Sequence, residues 1–218
     1  MDERAMNETQ ALTSTRDKAS YSLGFQMGTG LRSQFSDLDI GIFTQALREA
    51  FNNYTPRMKM EEMGQILEAI QNEMMQKQRQ MLSKLAETNK KAGEEFLEKN
   101  KLKSDVTVLP SGLQYKVLTQ GREGPSPTAF DSAVIHYRAS FMDGTVFENT
   151  HDKGEPKKIP IGQMIPGWAE ALKMMHVGDK WEIYVPSYLA YGETGYPPVI
   201  APNSLLIFEI ELLGITQQ

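Results

Sequence analysis

Met164-Ile165-Pro166-Gly167-Trp168-Ala169-Glu170-Ala171-Leu172-Lys173-Met174-Met175 carries the one helical spacing in the second half of this chain. It predicts a short helix over about residues 168–175. Val177-Gly178 ends it, because glycine takes the left-handed backbone that closes a helix. The flanking sequence reads as short strands, over residues 113–119, 133–141, 158–161, 180–185 and 205–213. Asp143-Gly144 falls between two of them and reads as a hairpin turn. Many strands around a single helix give an α+β pattern, a mostly antiparallel sheet wrapped on that helix.

Composition changes near residue 105. One of the 11 prolines, Pro56, precedes it, along with nine of the 13 methionines; both tryptophans follow it. The first half therefore reads as helical. Charge is balanced there, 15 basic against 16 acidic residues up to Asp105; the remainder has 8 against 12, for a net charge of −5. Neither half offers the basic surface that nucleic acid requires. The absence of cysteine excludes disulfides, thiolate metal sites and a cysteine nucleophile. No apolar run approaches the ~20 residues of a membrane span. Met1 is not followed by a signal-peptide pattern, so the expected location is either cytoplasmic or that of a mature exported chain.

Three helices fit the first half. The first covers residues 18–34, with Asp17 as its N-cap candidate. Leu23, Met27 and Leu31 form an apolar stripe at i+4, with Ser20, Gly24 and Gly28 beside it. Glycine inside a helix costs about 0.5–1 kcal/mol. Two of them one turn apart suggest close backbone approach, either within the chain or to a second copy. A second helix, residues 40–52, carries Ile42, Phe43, Ala46, Leu47, Ala50 and Phe51 behind Asp39. Two short helices cannot form a core unaided, which favours homodimerisation. The third segment, residues 57–103, contains no proline and keeps a helical stripe from Met60 to Leu85. From Glu87 to Glu95 that stripe gives way to i,i+4 charge pairs, the pattern of a solvated strut. About 45 helical residues would span roughly 65–70 Å.

Familiar catalytic signatures are missing: there is no Gly-rich phosphate loop, no nucleophile elbow and no paired-histidine metal spacing. His136, His151 and His176 fall on a strand, a loop and a helix end, and read as surface or turn residues. Aromatics gather instead at element ends: Tyr137, Phe147, Trp168, Tyr191, Tyr196 and Phe208.

Their surroundings are specific. Asp143-Gly144-Thr145-Val146-Phe147-Glu148, Ile165-Pro166-Gly167-Trp168, Val185-Pro186, Leu189-Ala190-Tyr191-Gly192 and Ala201-Pro202-Asn203-Ser204 follow in order. Over about residues 111–213 this set closely resembles the FKBP-type peptidyl-prolyl isomerase family. Lys18-Ala19-Ser20-Tyr21-Ser22-Leu23-Gly24 and Leu109-Pro110-Ser111-Gly112-Leu113-Gln114-Tyr115-Lys116 resemble its bacterial Mip-type members, the macrophage infectivity potentiators. The resemblance implies a V-shaped homodimer with a dimerisation module at 1–56, a connecting helix at 57–104 and an isomerase domain at 105–218. Leu23, Gly24, Met27, Gly28 and Leu31 are the expected dimer contacts.

Carried over by position, Tyr137, Phe147, Glu148, Trp168, Tyr191 and Phe208 would act on the substrate, with Trp168 as the pocket floor and the Tyr191 hydroxyl offered to a ligand carbonyl. Met164, Ile165, Tyr196 and Ile200 would bind substrate or macrolide. Glu148 departs from the family's usual aspartate and carries its carboxylate one methylene further out. That bears on its hydrogen bonding to Tyr137 and to the ligand. Tyr196 stands where many members have histidine, and Lys157 where some have an aromatic.

The implied activity is X–Pro isomerisation during protein folding, with holding of client chains by the dimer. A weakly catalytic prolyl-peptide clamp and a coiled-coil adaptor are the alternatives. The resemblance implies prolyl polypeptides as substrates, macrolides of the FK506 and rapamycin type as inhibitors, and no cofactor. It also implies a bacterial envelope location and a role in virulence, with a cytoplasmic relative as the alternative.

Overall fold

A computed structural model describes residues 11–35, 37–152 and 154–217. Residues 1–10 of the expected helical module lie outside them. The chain divides into two compact units, one ending at Ile70 and the other starting at Gln71.

The first unit holds α1 (Thr15–Gln34), α2 (Ile40–Phe51) and the start of α3 (Met60–Asn100). α1 begins three residues before the expected start. Ser14 is the N-cap and accepts from the Asp17 amide at 3.1 Å, while the Asp17 carboxylate accepts from the Ser14 amide at 2.9 Å. Asp17 thus closes a capping box from the third helical position. Asp39 caps α2 by accepting from the Ile42 amide at 3.0 Å. Asn52 is the C-cap of α2, one residue beyond its last turn. No residue of α1 or α2 is buried; Leu23 is 63% exposed and Phe51 87%. A Cβ built on Gly24 or Gly28 would meet nothing within 4 Å.

The second unit is an antiparallel sheet with a short helix and the last turns of α3 against it. The strands are β1 (Thr107–Val108), β2 (Gln114–Thr119), β3 (Asp131–Ser140), β4 (Val146–Asn149), β5 (Lys157–Pro160), β6 (Lys180–Val185) and β7 (Leu206–Gln217). Their order is β1-β2-β6-β7-β3-β4, and β5 also pairs with β3. β3 is long enough to hold β7 along one side and both β4 and β5 along the other. α4 (Pro166–Leu172) starts two residues before the expected helix because Pro166, lacking an N–H to leave unpaired, suits its first turn. Gly167 makes its seat possible: a Cβ there would stand 2.5 Å from Val185 Cγ1. Trp168, Ala171, Leu172 and Met175 then join Ile135, Ile183, Leu206 and Ile210 in one core.

α3 corrects the strut reading. Its last turns face the sheet through Ala86, Asn89, Gly93, Phe96, Leu97 and Asn100, a helical spacing built from small and amide residues. The Phe96 ring lies 5.8 Å from that of Tyr184. Asn100, fully buried, donates from Nδ2 to Gln114 Oε1 at 3.0 Å, and Gln114 Nε2 donates to the Leu97 carbonyl at 3.0 Å.

Asn100→Ala strips Gln114 Oε1 of its donor in a dry site. It should lower stability by about 1–3 kcal/mol. A urea titration followed by tryptophan fluorescence should show an earlier midpoint with an unchanged slope.

Candidate functional site

The alternation of β3 buries Ile135, Tyr137 and Ala139 on one face. Tyr137 and Ala139 form one wall of a cavity of about 280 Å³, with Phe208 of β7 beside them. Trp168 closes its base. It is 7% exposed, with the Tyr137 ring edge-on at 4.8 Å and the Phe208 ring at 5.0 Å. Such T-shaped pairs match the positive ring edge to the negative ring face.

The opposite wall comes from β4. Its pairing with β3 shifts between Ala139 and Ser140, which partner Glu148 and Val146, so Phe147 is the extra residue of a bulge. In a regular strand neighbouring side chains point to opposite faces; a bulge re-aims them. Phe147 and Glu148 both line the cavity as a result. Phe147 stacks tilted on Phe141 at 4.7 Å and edge-on to Phe208 at 6.5 Å. Met164 and Ile165, just before α4, and Tyr191, after β6, complete the mouth.

Of the residues singled out in the sequence, Tyr137, Phe147, Glu148, Met164, Ile165, Trp168, Tyr191 and Phe208 line this one cavity. Tyr196 stands outside it, with its ring 5.6 Å from Tyr191. Ile200 is buried in the core and exchanges two backbone hydrogen bonds with Tyr196, at 2.8 and 2.9 Å. Lys157 lies on β5. Ala139, Ile159 and Gln163 also line the cavity and were not singled out. Ala139 was readable from its i+2 spacing to Tyr137; Gln163 gave no signal. A second hollow, about 330 Å³ beside Leu85 and Asn89, is lined by a single ring, Phe141.

Burial, and then the Glu148 carboxylate that accepts its hydrogen bond, push the Tyr137 phenol well above its usual range. The Glu148 carboxylate, with its extra methylene, is therefore still within reach of Tyr137. Burial and then the Glu148 charge raise Tyr191 as well. His136 and His151 stack at 4.3 Å, with His136 Nδ1 against Thr150 Oγ1 at 2.9 Å. Among the described residues no group of three or more metal-ligating side chains gathers.

A phenol raised in the folded state keeps its stabilising effect below the unfolded value, about 10, and loses it as pH climbs further. An alkaline titration should show Tyr137 and Tyr191 as late-ionising members among the eight tyrosines. Stability should decline above about pH 10. Phenolate absorbance and thermal melts measure both effects.

The family description "domain amino terminal to FKBP-type peptidyl-prolyl isomerase" matches residues 16–117, and "FKBP-type peptidyl-prolyl cis-trans isomerase" matches 124–213. The chain is 36% identical over 211 residues to the outer membrane protein MIP of Legionella longbeachae, covering 97% of this chain and 90% of that one. It is 38% identical over 207 residues to the peptidyl-prolyl cis-trans isomerase Mip of Coxiella burnetii, covering 95% and 90%. The solved structure of FkpA from Escherichia coli superposes with a TM-score of 0.75 at 31% identity, over 95% of this chain and 99% of that one. Two matched modules in this order, carrying an aromatic-lined cavity, place the chain in the FKBP-type peptidyl-prolyl cis-trans isomerase family, among its Mip-like bacterial members.

Proposed function

We infer that the peptidyl-prolyl cis/trans isomerisation of this family is carried out in the cavity above Trp168. An amide resists rotation by ~18–20 kcal/mol because resonance gives its C–N bond double-bond character. X–Pro isomers lie close in energy yet exchange over tens to hundreds of seconds. Rotation breaks resonance and reduces charge separation, so water favours the planar ground state over the twisted one. A pocket walled by rings withdraws that advantage and binds the twisted form in preference. Neither a nucleophile nor a proton transfer is needed.

The observation that carries this reading is the convergence of Tyr137, Phe147, Trp168 and Phe208 on one cavity whose carboxylate, Glu148, is held by Tyr137. In this proposal the prolyl ring rests on the Trp168 indole. The Tyr191 hydroxyl donates to a substrate carbonyl. Met164 and Ile165 contact the flanking residues, and Tyr196 and Ile200 shape the rim. FK506-type macrolides would occupy the same cavity.

Tyr191→Phe removes one hydrogen bond and should lower kcat/KM on a prolyl tetrapeptide by about two- to tenfold. Trp168→Leu should lower it by about tenfold or more while circular dichroism stays native. An FK506-type ligand should abolish the activity of the parent chain. Unchanged rates in both variants would reject the site.

We further propose that the first unit dimerises through Leu23, Gly24, Met27, Gly28 and Leu31, and that the dimer holds client chains for the isomerase sites. The proposed organisation is a dimerisation module at 1–56, a connecting helix at 57–104 and the isomerase domain at 105–218. The unburied apolar residues of α1 and α2 support the dimer, since two short helices do not fold on propensity alone. Similarity to an outer membrane protein of Legionella supports an envelope location and, through the family, a role in virulence. Sedimentation should give a dimer for the full chain and a monomer for residues 71–218. The truncated chain should retain tetrapeptide isomerisation but lose much of its effect on the refolding of whole proteins. A monomeric full chain would remove the dimer proposal.

A further inference from the structure

The segment between β6 and β7 carries Tyr191 but belongs to no sheet. Turns within the segment hold Tyr191 locally, through Gly192 N–H to the Ser187 carbonyl at 2.8 Å and Gly195 N–H to the Tyr191 carbonyl at 3.1 Å; its ties to α3 run through Asn203 and Pro202. Asn203 sits at φ +55, a left-handed conformation that asparagine tolerates better than most residues. Its backbone amide donates to the Gly192 carbonyl at 2.9 Å, one residue past Tyr191. Its side chain turns the other way and donates from Nδ2 to the Ala86 carbonyl of α3 at 3.3 Å. One turn along α3, Asn89 Nδ2 donates to the Pro202 carbonyl at 2.8 Å. Two adjacent loop residues are thereby gripped by one face of the helix.

Two hollows border this grip. A hollow of about 200 Å³ lies on one side of the contact, lined by Gly93, Gly192, Asn203 and Leu205. The hollow of about 330 Å³ lies on the other, lined by Asn89, Ala201, Ser204 and Leu205. α3 meets the segment through the two amide bonds and through Gly93, whose Cβ would stand 3.2 Å from that of Leu205. Ile200, Leu189 and Ala190 pack the segment on the core, and the two amide bonds fix its far end against α3, where the Asn203–Gly192 bond links that end to the residue after Tyr191.

We propose that Asn89 and Asn203 are positioning residues of the isomerase: through Pro202 and Gly192 they tie the Tyr191 segment to α3, so that the end of this helix sets the geometry of the substrate-facing hydroxyl. This rests on the reading of Tyr191 as a substrate contact. It makes the last turns of α3 part of the catalytic unit and gives that helix a route to the pocket.

The test uses the full chain and a prolyl tetrapeptide in a double-mutant cycle. Asn89→Ala should lower kcat/KM by about three- to tenfold. Asn89→Asp, of equal shape but unable to donate when ionised, should do the same. In a Tyr191→Phe background the Asn89→Ala loss should largely disappear, because residues acting through one contact are not additive. Fully additive losses, or no loss in Asn89→Ala, would overturn the proposal. A second readout separates it from the reading of the hydroxyl. In chains labelled with 3-fluorotyrosine, the fluorine resonance lost in Tyr191→Phe identifies residue 191. Asn89→Ala should shift or broaden that resonance and leave Tyr21 unchanged. If Tyr191→Phe is catalytically inert, the hydroxyl reading fails, and the proposal fails with it unless the resonance of residue 191 moves. An unmoved resonance overturns the positioning role in every case.

Discussion

Trp168 meets Tyr137 and Phe208 edge-on at about 5 Å, and both contacts depend on a missing atom next door. A side chain at Gly167 would collide with Val185, so only glycine lets α4 settle against β6. Were the helix an ångström further out, the indole would no longer reach the two strands that hold its neighbours. Each such ring pair contributes about 0.5–1.5 kcal/mol beyond the area it buries. Two of them are a noticeable share of the ~5–15 kcal/mol that keeps a domain folded. The floor of the cavity is therefore also part of the core. In the proposed reaction, a surface that prefers a twisted amide over a planar one gains from being unable to adapt to both.

The carboxylate in such a cavity poses an electrostatic problem. An unpaired charge facing apolar rings is costly, and water drawn to it would restore the solvation that the pocket removes. Tyr137 meets this by donating to Glu148; burial first, and then that bond, raise the phenol's ionisation above its usual range. The β4 bulge is a precondition, since it lets Phe147 and Glu148 share one face. A longer acid in place of the usual aspartate is accommodated because the partner is a ring hydroxyl at the far end of its own side chain. Reach on one side meets reach on the other.

Much of this was legible in the sequence, and the gaps have physical causes. The strands read at 133–141, 180–185 and 205–213 correspond to β3, β6 and β7. The Asp143-Gly144 turn was clear, but β4 was not, since four residues with a bulge show no period. Asp17 was read as the cap of α1, whereas Ser14 holds that position; a capping box contains two plausible caps three residues apart. Tyr196 and Ile200 entered by positional resemblance, and only the backbone shows that one lies at the rim and the other inside. Ile159 was hidden in a strand too short to orient.

The largest misreading concerned α3, and it shows what polarity means on a helix. A stretch rich in Lys and Glu predicts solvent on all sides when only large apolar residues count as contacts. Here the contacts run through side-chain amides and a glycine. Gly93 admits Leu205, Asn89 satisfies the Pro202 carbonyl, and Asn100 satisfies Gln114. A segment without a sheet partner leaves carbonyls that must find donors somewhere, because an unpaired polar group shielded from water is expensive. Amide side chains on a neighbouring helix supply them, and glycine lets that helix approach closely enough. The residues that make this face look inert in a hydrophobic pattern are those that allow it to bind a loop. The donor and acceptor lie 113 residues apart in the chain, so no local spacing could have announced them.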